Sequence, residues 1–296
     1  MSDWANRWGS MATRLCIING YPAPNRGVLA QSGHCSADEL FVRTFRMLAP
    51  DAELDILFLA DLDVPIPDTA AIAGYDGFLW TGSNLTIYDD DPRVHRQIEF
   101  CRGIFGVGRP QWGSCWGVQM AAVAAGGEVR KNPRGREMML ARKIHLTPEG
   151  QAHAMYRGKP DVFDGFISHV DEVTRLPDGA TLLATNAHTR VQALEVRYLK
   201  GAFWATQYHP EYDLAEMARL IAARADALVK EGFFSDRAAA QDMIGRLEAL
   251  ARDPSRQDLR WGLAIDDNLL DVQLRACELR NWLDTFVRHP VTRLPA

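Results

Sequence analysis

Apolar residues in the first part of the chain recur in short blocks that alternate with amphipathic stretches. The apolar blocks are those of buried strands, and they lie at residues 15–19, 54–59 and 76–81. The amphipathic stretches have helical spacing, and they lie at residues 39–47 and 94–101. Ser36 and the Asp91-Pro92 pair provide start signals for these two helices, whereas the Pro- and Gly-rich residues 21–33 predict a loop. Strands alternating with helices predict an α/β fold with a doubly wound, mostly parallel sheet and flanking helices.

The pattern changes after Gly127. Short apolar runs between residues 129 and 204 alternate with turns and predict a small, partly antiparallel set of strands. Beyond residue 211 the spacing becomes helical, with predicted helices at residues 214–230, 235–252 and about 266–287. We therefore expect a leader over residues 1–13 and a helical C-terminal extension over residues 214–296. The apolar positions of this extension predict either a cap packed on the sheet or a surface for a homodimer or partner.

Composition narrows the class of protein. The chain has 296 residues, is 47% hydrophobic and carries a net charge of −5, which gives no basic footprint for nucleic acid. One basic segment, residues 130–136, contains Pro and Gly and predicts a solvated loop. The sequence has no apolar run long enough to span a membrane and no secretory signal pattern, so we expect a cytoplasmic protein.

The five cysteines are widely spaced and include no C-x-x-C pair. This usage is typical of a reducing compartment and predicts neither a disulfide framework nor a zinc site. The acidic run of residues 89–91 predicts a helix cap and loop rather than a metal site, so no cofactor is expected.

One cysteine stands in a context that suits chemistry. Cys115 lies in the segment Gly113-Ser114-Cys115-Trp116-Gly117-Val118, between a β-prone stretch and an Ala-rich helical run. Flanking glycines permit a tight strand–turn–helix elbow, which exposes the thiol and aims a helix N-terminus at it. Further along the chain, His209 and Glu211 in Gln207-Tyr208-His209-Pro210-Glu211 provide the other parts of a Cys-His-acid triad.

Together, the G-x-C-x-G and Q-x-H-P-E motifs resemble those of class I glutamine amidotransferases. The resemblance is strongest to the stand-alone group that is similar to the amidotransferase half of guanylate synthetase. It extends over residues 14–213, which we expect to form the amidotransferase-like domain. It implies that Cys115 attacks the side-chain amide of glutamine and forms a γ-glutamyl thioester. His209 would move the proton, and Glu211 would orient the imidazole.

The resemblance also implies the supporting groups. The oxyanion would be held by the backbone N–H groups of Trp116 and Ser83, with Gly82 permitting the turn. Here the segment Thr81-Gly82-Ser83-Asn84 departs from the family's usual Ser-Gly-Gly-Pro. Gln119 resembles the family's contact to the α-amino-acid end of the substrate. Ser168 and His169 belong to a segment that resembles the family's S-H-x-D motif beside the pocket.

The sequence leaves the acceptor open. It contains no phosphate-binding loop and no second α/β domain that would use ammonia. We therefore expect a small-molecule substrate and a glutamine-hydrolysing enzyme that supplies ammonia to an unidentified acceptor, with a separate synthetase subunit as a candidate partner. Two alternatives stay open, namely an autonomous γ-glutamyl peptide or amide hydrolase and a non-catalytic binding or regulatory protein on the same fold.

Overall fold

Buried apolar strands alternate with helices through the first half of the chain, as the pattern predicts. The computed structural model describes residues 13–31, 33 and 35–288. The strands are β1 (Arg14–Ile18), β2 (Glu53–Leu57), β3 (Gly77–Trp80), β4 (Gln111–Ser114), β5 (Glu128–Lys131), β6 (Glu137–Leu146), β7 (Val162–His169), β8 (Asp171–Arg175), β9 (Ala180–Thr185), β10 (Ala193–Tyr198) and β11 (Gly201–Thr206). The helices are α1 (Ala23–Gln31), α2 (Ala37–Leu48), α3 (Thr69–Ala73), α4 (Pro92–Val107), α5 (Trp116–Ala124), α6 (Pro148–Ala152), α7 (Leu214–Lys230), α8 (Arg237–Arg252), α9 (Gln257–Leu263), α10 (Asp267–Leu270), α11 (Val272–Arg275) and α12 (Cys277–Trp282).

In the described part of the chain, nine strands form one sheet in the order β2-β1-β3-β4-β11-β10-β9-β6-β7. Neighbours from β2 to β11 pair in parallel. From β11 onward the pairs are antiparallel. Strands β5 and β8 form a separate antiparallel pair. This arrangement confirms the predicted α/β fold, and the antiparallel strands mostly extend the main sheet. Catalytic groups in such sheets gather where parallel strands end, which is here the carboxyl edge of β3, β4 and β11.

Local start signals are confirmed at two helices. The Ser36 side chain accepts from the Glu39 N–H, and the Glu39 carboxylate accepts from the Ser36 N–H at 2.9 Å, so α2 begins with a capping box. Helix α4 begins at Pro92, with the Asp91 carboxylate accepting from the Arg93 N–H. Both signals involve residues that are neighbours in the sequence, so the sequence alone was enough to predict them.

The prediction of a loop over residues 21–33 was wrong, because helix α1 occupies most of this segment. A residue distant in sequence supports this helix. The Asp61 carboxylate accepts from the Ala23 N–H at 2.8 Å, at the first residue of α1, and forms an ion pair with Arg26. Because this support comes from beyond β2, the local composition did not reveal it.

The single helix predicted over residues 266–287 was also wrong. It is divided into α10, α11, α12 and a π-helical turn at Leu283–Arg288. Asp271 interrupts it, because its carboxylate accepts from the Gln273 N–H and starts a new helix. Helices α3, α6 and α9 were not predicted, and the basic segment 130–136 begins inside β5 rather than lying wholly in a loop. The predicted leader lies, apart from Thr13, outside the described residues.

The extension packs into the same core as the sheet. The Trp282 side chain is fully buried among residues that include Leu15 and Phe45, and its indole N–H donates to the Gln111 carbonyl at 3.0 Å. The edge of the ring lies against Gly77 at the start of β3. Among the described residues, no helix is long and apolar enough to cross a bilayer.

The contact between Gly77 and Trp282 generates a stability prediction. A Cβ on residue 77 would lie 2.6 Å from the Trp282 ring, which core packing prevents from moving away. We expect Gly77→Ala to lower the free energy of unfolding by about 1–3 kcal/mol, measured by urea unfolding. The control is Gly245→Ala in α8, where an added Cβ meets no atom within 4 Å. That change should be neutral or stabilising by up to about 1 kcal/mol, and equal destabilisation by both would contradict the packing argument.

Candidate active site

Cys115 lies on a strained turn between β4 and α5. Its φ of 54° and ψ of −92° are unfavourable for a residue with a side chain. The Cys115 N–H donates to the Thr206 carbonyl at 2.8 Å, which fixes the turn to the end of β11. Strand β4 and helix α5 can approach closely because Gly113 has no side chain. A Cβ at this position would lie 2.7 Å from the Gly117 Cα. The turn therefore places the sulfur at the positive end of the α5 dipole, as the sequence predicts.

His209 and Glu211 form a buried pair. The Nδ1 of His209 and the Oε1 of Glu211 are 2.7 Å apart, so Nδ1 carries a proton and donates a hydrogen bond to the carboxylate. The Ser114 hydroxyl donates to the same oxygen at 2.8 Å. Burial lowers the pKa of His209, but the negative charge of Glu211 and the hydrogen bond with Cys115 outweigh this effect and raise the pKa to about 10. The imidazole therefore carries its second proton at neutral pH.

The imidazole is fixed from two sides. The Tyr212 ring stacks on it with 4.1 Å between ring centroids. On another side, a Cβ added at Gly82 would lie 3.5 Å from the His209 Cε1. This is an ordinary contact distance, so the Gly82 turn borders the imidazole ring.

The predicted oxyanion donors lie on the two segments that close around Gly20. A Cβ at Gly20 would meet the Gly82 carbonyl, the Trp116 ring and the Ser83 Cβ at 3.0–3.1 Å. Trp116 is the first residue of α5, so its N–H has no acceptor within the helix. Within residues 13–31, 33 and 35–288, the N–H groups of Trp116 and Ser83 have no hydrogen-bond acceptor. The Ser83 hydroxyl instead donates to the Gly20 carbonyl at 2.7 Å and holds the turn in place.

The predicted substrate contacts lie together beside the sulfur. The Gln119 amide donates to the Asp171 carbonyl at 3.4 Å, and Asp171 directly follows the Ser168-His169-Val170 segment. The Ser168 carbonyl lies 3.9 Å from the Cys115 Sγ. This segment therefore forms a wall of the cleft beside the thiol.

His169 is held by partners away from the thiol. Its Nε2 lies 3.1 Å from the Glu137 carboxylate and its Nδ1 lies 2.8 Å from the Asp171 carbonyl. Asn186, Thr189 and Gln192 also donate to Glu137. Burial raises the pKa of Glu137, but the hydrogen bonds from His169 and Asn186 outweigh it, so the pKa lies below its usual range. His169 therefore lines the cleft as part of a satisfied polar network.

These groups surround a cleft of about 560 Å³. Seven of the nine residues predicted for the site line it, and these are Ser83, Cys115, Trp116, Gln119, Ser168, His169 and His209. Gly82 and Glu211 stand behind this lining. Groups of three or more His, Cys, Asp or Glu side chains that could hold a metal are absent from the described residues.

Several cleft residues were missed in the sequence. Tyr21, Tyr212 and Arg224 line the cleft, and so do Lys131 and Arg136 of the basic segment. The charge of residues 130–136 was a visible signal, although its place beside the site was not. Arg224 gave no signal, because it lies within helix α7, whose sequence shows only the spacing of an amphipathic helix.

Comparisons with known proteins identify the family of this chain. The profile of the family described as "Glutamine amidotransferase class-I" matches residues 70–225. A γ-glutamyl-L-1-hydroxyisopropylamide hydrolase from a Pseudomonas species is 36% identical over 282 residues, which are 93% of each chain. The γ-glutamyl peptidase 5 of Arabidopsis thaliana is 30% identical over 68% of this chain and 78% of its own length.

Two further similarities bear on the predicted resemblance. The glutamine-hydrolysing GMP synthase of Chlorobium limicola is 38% identical over 49% of this chain but over 27% of its own length. A glutamine amidotransferase structure from Thermotoga maritima superposes with a TM-score of 0.63 at 19% identity, over 93% of this chain and 97% of that one. The first confirms the resemblance to guanylate synthetase, and the second supports the fold.

The family profile matches more than half of the chain, and the Pseudomonas hydrolase matches nearly all of it. The chain therefore belongs to the class I glutamine amidotransferase family and is an enzyme that hydrolyses amide C–N bonds.

Proposed function

We propose that the protein hydrolyses γ-glutamyl amides on its own, releasing glutamate and an amine. The observation that carries this proposal is that residues of this chain itself form the walls of the cleft. Helix α7 supplies Leu220, Arg224 and Ala227 to the lining, together with Ser83 and Gln119. Because this chain closes its own cleft, a partner is not needed to complete it.

The cleft residues support a two-step reaction. Cys115 attacks the γ-carbonyl of the substrate as a thiolate whose proton is held by His209, and a C–S bond forms while the C–N bond breaks. The negative charge on the carbonyl oxygen is stabilised by the N–H groups of Trp116 and Ser83, which have no competing acceptor among the described residues. Protonated His209 gives its proton to the departing amine.

Water completes the reaction. His209, now neutral, accepts a proton from water, which attacks the thioester, so that a C–O bond replaces the C–S bond and glutamate leaves. Glu211 keeps the imidazole oriented and stabilises its cation through both steps. In this scheme Gln119 and the 168–171 segment bind the amino-acid end of the γ-glutamyl group.

Similarity over the whole chain also favours this proposal. The Pseudomonas relative, whose name gives it a γ-glutamyl hydroxyalkylamide as substrate, matches 93% of this chain and therefore most of the extension. The second candidate is release of ammonia from glutamine for a separate synthetase subunit. It is favoured by the match to GMP synthase, which covers 49% of this chain.

One assay distinguishes the two candidates. The purified full chain, without a partner, should hydrolyse at least one γ-glutamyl alkylamide or γ-glutamyl peptide faster than about 1 per second, within the usual range of enzymes. The readout is released amine, and the α-glutamyl isomer of the same amide is the control that should not react. Turnover of glutamine alone, and then only weakly, would favour the ammonia-supplying candidate.

A covalent probe tests the nucleophile. A γ-glutamyl diazoketone should add mass at Cys115, and Cys115→Ala should lose both this mass and hydrolysis. Burial raises the pKa of the Cys16 thiol to about 12 and also raises the pKa values of the Cys101 and Cys277 thiols, so these stay protonated and inert. Cys35 is the more accessible control, and Cys35→Ala should keep full labelling. Labelling that survives Cys115→Ala would contradict the assignment.

The His209–Glu211 pair generates a pH prediction. The charge of Glu211 is the largest effect that raises the pKa of His209, so Glu211→Gln should lower that pKa. The protonated imidazole is then lost at lower pH, and the alkaline limb of kcat/KM should move down by about one pH unit or more. We also expect kcat to fall roughly 10²-fold, less than for Cys115→Ala. Glu149→Gln, at an exposed glutamate of α6, is the control and should leave the profile unchanged.

A further inference from the structure

The proposed function leaves one charge of the substrate without a partner in the protein. A γ-glutamyl group carries an α-carboxylate, and burying a carboxylate without a charged or hydrogen-bonding partner is costly. Gln119 is neutral, and both ring nitrogens of His169 are engaged, Nε2 by Glu137 and Nδ1 by the Asp171 carbonyl. The groups assigned so far to the amino-acid end therefore offer this carboxylate no positive charge.

Three long cationic side chains line the cleft, and two of them are poorly suited to this task. They are Lys131, Arg136 and Arg224. The Arg136 guanidinium is bidentate to Glu231, with 2.7 Å from Nε to Oε2 and 3.1 Å from Nη2 to Oε1, so it is already neutralised. Lys131 is exposed at the end of β5, where an ion pair contributes little. Arg224 is therefore the best-suited cation of the three.

Arg224 is half-buried in α7 and is held on the wall that binds the amino-acid end in the proposed function. Its Nη1 donates to the Ser168 hydroxyl at 3.0 Å. Within residues 13–31, 33 and 35–288, this hydroxyl is the one hydrogen-bond acceptor of the guanidinium, and no carboxylate forms an ion pair with it. Because a guanidinium has five N–H donors in a planar fork, most of its donors stay available for a ligand.

Ser168 connects this guanidinium to the reacting sulfur. Its carbonyl lies 3.9 Å from the Cys115 Sγ, while its hydroxyl accepts from Arg224. In an extended γ-glutamyl group, the γ-carbonyl carbon and the α-carboxylate carbon are about 5 Å apart, the span of four covalent bonds. A substrate that lies along Ser168 with its γ-carbonyl at the sulfur therefore brings its α-carboxylate within reach of Arg224.

Resting on the proposed function, we infer that Arg224 binds the α-carboxylate of the γ-glutamyl group and so determines the specificity for the acyl part of the substrate. The planar fork of a guanidinium matches a carboxylate, and the hydrogen bond to Ser168 orients it before the substrate arrives. Acyl amides without this carboxylate, such as γ-aminobutyryl amides, are then poor substrates although their scissile bond is the same. Specificity for the amino-acid end comes from α7, which follows the triad in the sequence.

The test keeps the leaving amine constant and changes the acyl part. The amine is the one that the unmodified full chain releases fastest from a γ-glutamyl amide, joined instead to a γ-aminobutyryl group, which lacks the α-carboxylate, or to a glutaryl group, which lacks the α-ammonium. Arg224→Gln should lower kcat/KM about 10–100-fold for the γ-glutamyl and glutaryl amides, mainly through KM. The unmodified enzyme should hydrolyse the γ-aminobutyryl amide about 10–100-fold less efficiently than the γ-glutamyl amide, and Arg224→Gln should change that value less than about threefold.

Further variants separate carboxylate binding from a general effect of charge. Lys230→Gln removes a charge from the exposed last turn of α7 and should leave all three substrates unchanged. Arg224→Lys keeps the charge without the planar fork and should recover part of the loss. Lys131→Gln removes the competing cation and should keep the preference for an α-carboxylate. If Arg224→Gln does not fold, Ser168→Ala removes the anchoring hydroxyl and should weaken only the two substrates that carry the carboxylate.

The inference would be overturned, with the proposed function intact, by equal losses on all three substrates in Arg224→Gln. Efficient hydrolysis of the γ-aminobutyryl amide by the unmodified enzyme would overturn it as well, and so would a selective loss in Lys131→Gln instead of Arg224→Gln. Absence of turnover on every γ-glutamyl amide and peptide would contradict the proposed function instead. If glutamine alone reacts, ammonia release from glutamine, γ-aminobutyramide and glutaramic acid gives the same comparison and decides the role of Arg224 separately.

Discussion

Parallel pairing of β4 with β11 is the constraint on which the site depends. Ser114 lies opposite Thr206 in this pair, so both strands end at the same edge of the sheet. Cys115 directly follows β4, and its N–H donates to the Thr206 carbonyl. The chain after β11 reaches His209 within one turn, and Glu211 then accepts from both His209 and Ser114. Two segments distant in sequence are thus held together by backbone register and by one shared carboxylate oxygen.

The extension is connected to this edge through buried polar groups. The Tyr208 hydroxyl, next to His209 in sequence, donates to Glu278 of α12 at 2.6 Å, and Lys159 lies 2.9 Å from the same carboxylate. Both members of the Lys159–Glu278 pair are almost fully buried. Removing one partner of such a pair leaves an uncompensated charge and typically costs about 3–5 kcal/mol. The extension therefore contributes to the position of the histidine loop as well as to the cleft wall.

The sequence predicted those features that depend on neighbouring residues. Strand and helix order, the capping box at Ser36 and the elbow at Cys115 all have local signals, and the structure contains them. Features that depend on distant contacts were missed. Helix α1 is supported by Asp61 from beyond β2, and the cleft acquires Arg224 only because α7 folds back over the sheet edge. Spacing along one helix cannot show which face a distant cleft will meet.

Two histidine–carboxylate pairs border the cleft, and the sequence alone favoured one of them by its motif. The surroundings of the two pairs provide a physical reason to prefer His209 over His169 as the partner of the thiol. Glu137 accepts from three further side chains besides His169, so that pair is locked in a satisfied network. The Oε2 of Glu211 is buried and has no partner among the described residues, so this carboxylate is less stabilised and acts chiefly on His209. Its charge keeps the imidazole protonated beside the sulfur, and the mechanism we propose requires this state because an imidazolium stabilises a neighbouring thiolate.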